Sequence, residues 1–283
     1  MGLRWRDLTA EERERAYSPS SCLPDGDYRP FVEQYVTRSA RAWADVQAAA
    51  TTTVLTYGPL ASNTIDVAIP SASTATATGG PMPLLVFVHG GYWQELSKIE
   101  SRFAAADSVE RGWAFAAVDY TLAPRIPVGG IVDECRTALA ALQDAALGFD
   151  PGRIVVAGSS AGAQLAAMMA LRPGAAAAVL VSGVFELAPL IGTEIDDALG
   201  LDPDEAARLS PLHLDLDGFP PTLVAHGDNE TDEFKAQSRS FAAALGPVEP
   251  IEIPDRNHFD VILDLARSGT TLGDAVGRLI GDL

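Results

Sequence analysis

The sequence predicts an α/β architecture: a mostly parallel central sheet with helices on both faces, preceded by a helical arm and interrupted by a short lid-like insertion. Three observations lead there. Short apolar runs alternate with helix-period segments along most of the chain, the pattern of βαβ units. One run, Ile154-Val155-Val156-Ala157, passes through Gly158-Ser159-Ser160-Ala161-Gly162 into an alanine-rich helical stretch, which reads as strand, sharp turn, helix. Another, Leu84-Leu85-Val86-Phe87-Val88, ends in His89-Gly90-Gly91-Tyr92-Trp93. With 283 residues, 47% of them hydrophobic, the chain can bury a large core, and a single domain over 1–283 is expected.

Residues 1–50 read as the arm. A charged helical start is followed by a turn-rich stretch over 18–30 and then an amphipathic helix. In that helix Phe31, Tyr35, Ser39, Trp43 and Val46 recur at helical spacing and mark the face that packs on the body. Residues 54–57 and 65–69 read as two short strands around a turn with Gly58, Pro59 and Asn63, an antiparallel edge to the sheet. Residues 71–80 are a small-residue connection, expected to be flexible. After the 84–88 strand and its glycine loop comes a helix with Leu96, Ile99, Phe103 and Ala106 inward. A strand over 113–118 follows, then a helix with Ile131, Cys135, Ala138, Leu142 and Ala145 on its inner face. Beyond the Ser160 turn, small residues at Ala161, Ala163, Ala166 and Ala167 let the next helix sit close to the sheet until Pro173-Gly174 ends it. The remaining expectations are a strand over 178–182, an irregular segment over 184–214 as candidate lid, strands over 221–225 and 248–253, and helices over 234–245 and 263–280. The last is broken at Ser268-Gly269.

The Ser160 turn carries a chemical implication. A serine on a strained strand-to-helix turn lifts its hydroxyl clear of the sheet, and flanking glycines remove the Cβ atoms that would clash there, so Ser160 is the candidate nucleophile. The glycines after His89 suit a loop whose amides face a developing oxyanion, because N–H groups must approach that oxygen to about 3 Å with no side chain between. A serine hydroxyl needs a base, and the base needs a third group to fix its tautomer. The candidate bases are His89, His213, His226 and His258. The segment from Gly227 to Glu233 offers four carboxylates, Asp228, Glu230, Asp232 and Glu233, among which charge alone does not choose.

The chain resembles the α/β-hydrolase superfamily, and HGGYW is similar to the H-G-G-x-W signature of the kynurenine formamidase (arylformamidase) group. Asp119-Tyr120-Thr121-Leu122-Ala123-Pro124, Glu233-Phe234-Lys235-Ala236-Gln237-Ser238 and Asn257-His258-Phe259-Asp260 extend the resemblance over nearly the whole chain. It implies an α/β-hydrolase fold, an arm that partly covers the pocket, and an acyl hydrolase with neither metal nor organic cofactor. Its chain order of serine, acid, histidine points to His258 as base and argues against His226. His89 then holds the glycine loop, and His213 has no assigned role. Register on the E-F-x-x-Q-S stretch places Glu230 where the group carries an aspartate, with Asp228 as the alternative acid. Gly90, Gly91 and Ala161 are the expected oxyanion donors, and Tyr92, Trp93 and Phe259 the expected substrate wall. The implied reaction is hydrolysis of an aryl formamide such as N-formylkynurenine to formate and the arylamine. A carboxylesterase for short acyl esters is the alternative, and a non-catalytic ligand-binding protein of the same fold a third.

Composition narrows the partners. A formal net charge of -18 argues against nucleic acid and anionic membrane surfaces, which select basic patches. The N-terminal stretch is charged where a secretory signal would be apolar, and no run approaches the roughly 18 apolar residues of a membrane helix. Cys22 and Cys135 stand far apart, which indicates neither a disulfide framework nor a thiolate metal site. These features lead to the expectation of a cytoplasmic protein acting on a small molecule; a homodimer is compatible with them.

Overall fold

The strands that read as unbroken apolar runs lie at the centre of one eight-stranded sheet. The computed structural model describes residues 4–71 and 80–283. The strands are β1 (Thr51–Thr56), β2 (Thr64–Ile69), β3 (Leu84–Val88), β4 (Ala114–Val118), β5 (Ile154–Ser159), β6 (Ala177–Val181), β7 (Thr222–Asn229) and β8 (Ile251–Asn257), in spatial order β1-β2-β4-β3-β5-β6-β7-β8. β1 pairs antiparallel with β2, and β2 antiparallel with β4; every later pair is parallel. Each residue of β3, β4, β5 and β6 is buried, as parallel strands covered on both faces require.

Alternate residues of these strands feed two cores. Leu84, Val86 and Val88 face one side, with α4 (Val128–Asp144), α5 (Ala161–Ala170) and α8 (Asp232–Ala244). Leu85 and Phe87 face the other, with α2 (Arg29–Ala49), α3 (Ala105–Glu110) and α9 (Thr271–Gly281). The period of two along a strand thus produces the expected two-sided cover. α1 (Ala10–Ala16) begins with a reciprocal capping box between Thr9 and Glu12. Tyr35, Ser39, Trp43 and Val46 of α2 are buried as the spacing predicts, while Phe31 is only half-buried.

The close seat of α5 on the sheet is a matter of two glycines. A Cβ at Gly158 would stand 2.0 Å from the Gly162 carbonyl oxygen, and one at Gly162 would stand 2.2 Å from that of Val88. Backbone touches backbone here, so only glycine fits.

Several bounds differ from expectation for local reasons. β1 starts at Thr51 because its threonines pair with Val67, Ala68 and Ile69 at an exposed edge, where no apolar run is needed. β7 and β8 continue through polar residues to Asn229 and Asn257, past an irregularity between Gly227 and Asn229. The expected helix around 96–106 is a 3-10 turn, Ile99–Ala104, running into α3; Ile99 points outward rather than into the core. Residues 263–280 divide into a 3-10 turn, Val261–Asp264, and α9. The 184–214 segment holds α6 (Asp196–Leu199) and α7 (Pro203–Leu209) between 3-10 turns. Of the expected 71–80 connection, residues 72–79 lie outside those described. No helix among the described residues is long and apolar enough to cross a membrane.

Candidate active site

Ser160 sits between β5 and α5 with φ 57 and ψ -125, the strained conformation a strand-to-helix turn imposes on a residue that carries a Cβ. Its N–H donates to the Val181 carbonyl at 2.9 Å, which ties the turn to β6. The loop after β3 lies against it. A Cβ on Gly90 would be 2.7 Å from the Ser159 carbonyl oxygen and 3.2 Å from the Ser160 Cβ, so glycine allows this approach. Among the described residues, the N–H groups of Gly90, Gly91 and Ala161 have no protein acceptor. Three free donors therefore surround the Ser160 turn.

The peptide carbonyls of the same loop are tightly held. The Tyr120 hydroxyl donates to the His89 carbonyl at 2.9 Å and reaches the Gly90 carbonyl at 3.3 Å, and His89 Nδ1 lies 3.0 Å from the Gly90 carbonyl. The imidazole of His89 stacks on the Tyr120 ring at 4.0 Å. Trp93 is fully buried, its indole N–H donating to Gln164 Oε1 at 3.2 Å and its carbonyl accepting from the Ala123 amide. It is a loop anchor in the core and does not line the cavity beside Ser160, which corrects its expected place in a substrate wall. Gly91, Tyr92 and Trp93 all have positive φ, and the tight turn they form seats the Trp93 ring in the core beneath Tyr92, the two ring centroids 6.1 Å apart. Tyr92 does line the cavity and donates its hydroxyl to the Tyr17 carbonyl at 2.5 Å.

His258 follows β8. Its Nδ1 lies 3.0 Å from Glu230 Oε2, and Glu230 Oε1 accepts from the Ser182 hydroxyl and the Gly227 amide, both at 2.6 Å. Burial opposes ionisation of Glu230 more than any one partner favours it, but His258, Ser182 and Gly227 together hold its carboxyl below the usual range. The edge of Phe234 closes the imidazole in at 4.4 Å. Asp228, the alternative acid, turns away: it accepts from the backbone N–H groups of Asp255 at 3.0 Å and Arg256 at 3.2 Å, stitching β7 to β8 at their irregularity. Those bonds, led by the one from Asp255, lower its pKa as well. The other histidines lie elsewhere: His213 faces Glu186 at 3.3 Å, and His226 has its Nδ1 on the Gly227 carbonyl.

Ser160, His258, Gly90 and Gly91 line one cavity of about 460 Å³. Tyr92, Phe87, Phe103 and Phe259 give it aromatic walls, and Phe259 is stacked between Tyr28 at 5.7 Å and Phe31 at 5.6 Å. The arm supplies Glu14, Ser18, Ser20 and Tyr28 to the rim, and the 184–214 segment adds Glu194 and Ile195. A hydrogen bond from the Glu194 amide to Glu14 joins the two segments at 2.9 Å. The lining carries four carboxylates, Glu14, Glu95, Glu100 and Glu194, and neither lysine nor arginine. Two contributors escaped sequence reasoning. Ser182 is a lone small polar residue at a strand end, and the hydroxyl of Tyr120 is useful only because the sheet brings β4 beside β3.

A family profile described as an α/β-hydrolase fold matches residues 85–206, the span that holds the HGGYW loop, Tyr120 and the Ser160 turn. The chain is 29% identical to a kynurenine formamidase of Salmo salar, over 98% of this chain and 99% of that protein. It is 32% identical to an acetyl-hydrolase of Streptomyces hygroscopicus, over 62% of this chain and 67% of that protein. Among solved structures, a Silicibacter sp. TM1040 protein matches with a TM-score of 0.77 at 26% identity, covering 91% of this chain and 98% of that one.

Proposed function

The chain belongs to the α/β-hydrolase family, and from that premise we propose that it is a serine hydrolase cleaving an aryl formamide, with N-formylkynurenine as its substrate. The observation that carries the chemistry is the convergence on one cavity of Ser160 and of a His258 backed by Glu230. The choice of a formamide rests on the likeness to kynurenine formamidase, which extends over nearly the full length of both chains.

In this mechanism His258 takes the Ser160 proton as Oγ attacks the formyl carbon. Glu230 keeps the imidazole's Nδ1 protonated and stabilises the imidazolium. The N–H groups of Gly90, Gly91 and Ala161 face the tetrahedral oxyanion. Collapse breaks the C–N bond, and His258 returns the proton to the departing arylamine. Water, deprotonated by the same imidazole, then attacks the formyl-serine and releases formate. Tyr92 and Phe259 give the aryl ring apolar walls. The carboxylates of the cavity suit the substrate's ammonium group, and its carboxylate relies on hydroxyls such as those of Ser18 and Ser20.

Short esters are the second reading, favoured by the acetyl-hydrolase likeness, since the machinery is the same. Saturation kinetics on N-formylkynurenine and p-nitrophenyl acetate separate the two. The phenyl ester is intrinsically easier to cleave, so a higher kcat/KM on the formamide requires binding energy from the aryl and amino-acid parts realised in the transition state. That higher value is the expected result. Ester preference with negligible formamide turnover would overturn the formamidase reading and leave the esterase one. Both cysteines are free, in keeping with the proposed cytoplasmic location.

A further inference from the structure

We infer that Tyr120 is a positioning residue whose hydroxyl sets the aim of the oxyanion-facing amides, an inference that rests on the serine-hydrolase reading above. A trans peptide points its C=O and N–H in opposite directions. Two peptide planes matter here, His89–Gly90 and Gly90–Gly91. Tyr120 donates to the carbonyl of the first at 2.9 Å and reaches that of the second at 3.3 Å. His89 Nδ1 supplies the second donor to the Gly90 carbonyl at 3.0 Å, and because a carbonyl only accepts, that nitrogen carries the proton. With both carbonyls drawn to the Tyr120 side, the N–H groups of Gly90 and Gly91 are left facing the opposite side. The Cα of Gly90 itself packs against Ser159 and Ser160.

Among the described residues no other group donates to these two carbonyls. Neither glycine has a side chain, and glycine permits the backbone rotation that would turn a plane over. The strained run of positive φ at Gly91, Tyr92 and Trp93 follows at once. Tyr120 is itself immobilised: 1% exposed, with its ring stacked on His89 at 4.0 Å and 10°. A rigid phenol thus transmits the sheet's geometry to the two glycines of the loop. Donors aimed in advance stabilise developing charge without a reorganisation cost, so loosening them affects the transition state and spares ground-state binding.

Tyr120→Phe removes only the hydroxyl and keeps the ring stack. With the substrate that wild type turns over, we expect kcat to fall about tenfold, a fraction of the loss on deleting a whole oxyanion donor. KM should stay within about twofold, with thermal unfolding unchanged and active-site titration still counting one reactive serine per chain. The affinity of a boronic acid, which forms a tetrahedral adduct on the serine, should fall in parallel with kcat. A role confined to folding would lower the titratable fraction or the melting temperature and leave kcat per titrated site untouched. Should Tyr120→Phe not fold, His89→Ala provides the second arm: the same kcat-selective loss, partly restored in His89→Asn, whose amide N–H returns near the Nδ1 position. Wild-type kcat per site in Tyr120→Phe, a loss confined to KM, or equal loss in His89→Ala and His89→Asn would overturn the inference. Ser160→Ala is run alongside. Wild-type turnover that survives it would instead overturn the serine-hydrolase reading, and this inference with it.

Discussion

Ser160→Ala should lower kcat on the formamide and on the ester by about 10⁵-fold or more, the scale seen when a hydrolase nucleophile is deleted. Folding should be unaffected. Alanine has the same Cβ, so the strain at φ 57 neither grows nor relaxes, and the bond from the residue-160 amide to Val181 remains. The serine side chain is nearly buried but opens on the cavity, and removing its oxygen strips no partner from the core. Steady-state kinetics with a coincident thermal melt check both halves. A variant that retains a percent or more of wild-type kcat would mean that another group carries the attack.

The second large effect separates two carboxylates only two residues apart. Glu230→Gln should reduce kcat about 10³- to 10⁴-fold, while Asp228→Asn should stay within a fewfold of wild type. The asymmetry follows from hydrogen-bond arithmetic. Glu230 accepts on both oxygens, from His258 on one and from Ser182 and Gly227 on the other. A glutamine offers one acceptor and one donor. If its oxygen keeps Ser182 and Gly227, its NH₂ faces Nδ1 and enforces the wrong imidazole tautomer; if it flips, the NH₂ opposes the Gly227 N–H. Glu230, held below the ordinary carboxylate range, stays ionised throughout the neutral pH range in which both variants are compared. The Asp228 carboxylate accepts from the backbone of β8 and makes no contact with His258, and an asparagine still offers that backbone one acceptor. A crippled Asp228→Asn beside a near-normal Glu230→Gln would reverse the assignment of the acid.

These two residues also show how far the chain could be read without its structure. The sheet was legible because β3, β4, β5 and β6 are buried on both faces and must be written in apolar residues. Edge elements were less so. β1 is recruited through threonines, and the far ends of β7 and β8 through a carboxylate that accepts backbone amides, none of which leaves a hydrophobic pattern. Ser160 and His258 announced themselves through short motifs next to strand ends. The acid stood among four carboxylates of equal appeal, and motif register, not charge, singled out Glu230; the structure brings it to His258. The direction of Trp93 was illegible for a different reason. Three successive positive φ angles decide which aromatic of HGGYW faces the cavity, and such angles are dictated by the neighbours that hold the loop. Tyr120 is the clearest such neighbour, quoted in a motif yet meaningful only once β4 lies against β3.

Nucleophilic attack by the Ser160 hydroxyl is the step on which every catalytic role proposed above depends. It is measured most directly by treating the protein with a fluorophosphonate and locating the adduct by peptide mass spectrometry while activity is followed in the same sample. One equivalent should appear on Ser160 alone, with turnover lost in proportion to labelling. Label on Ser159 or outside the cavity, or full turnover in protein labelled at Ser160, would contradict it.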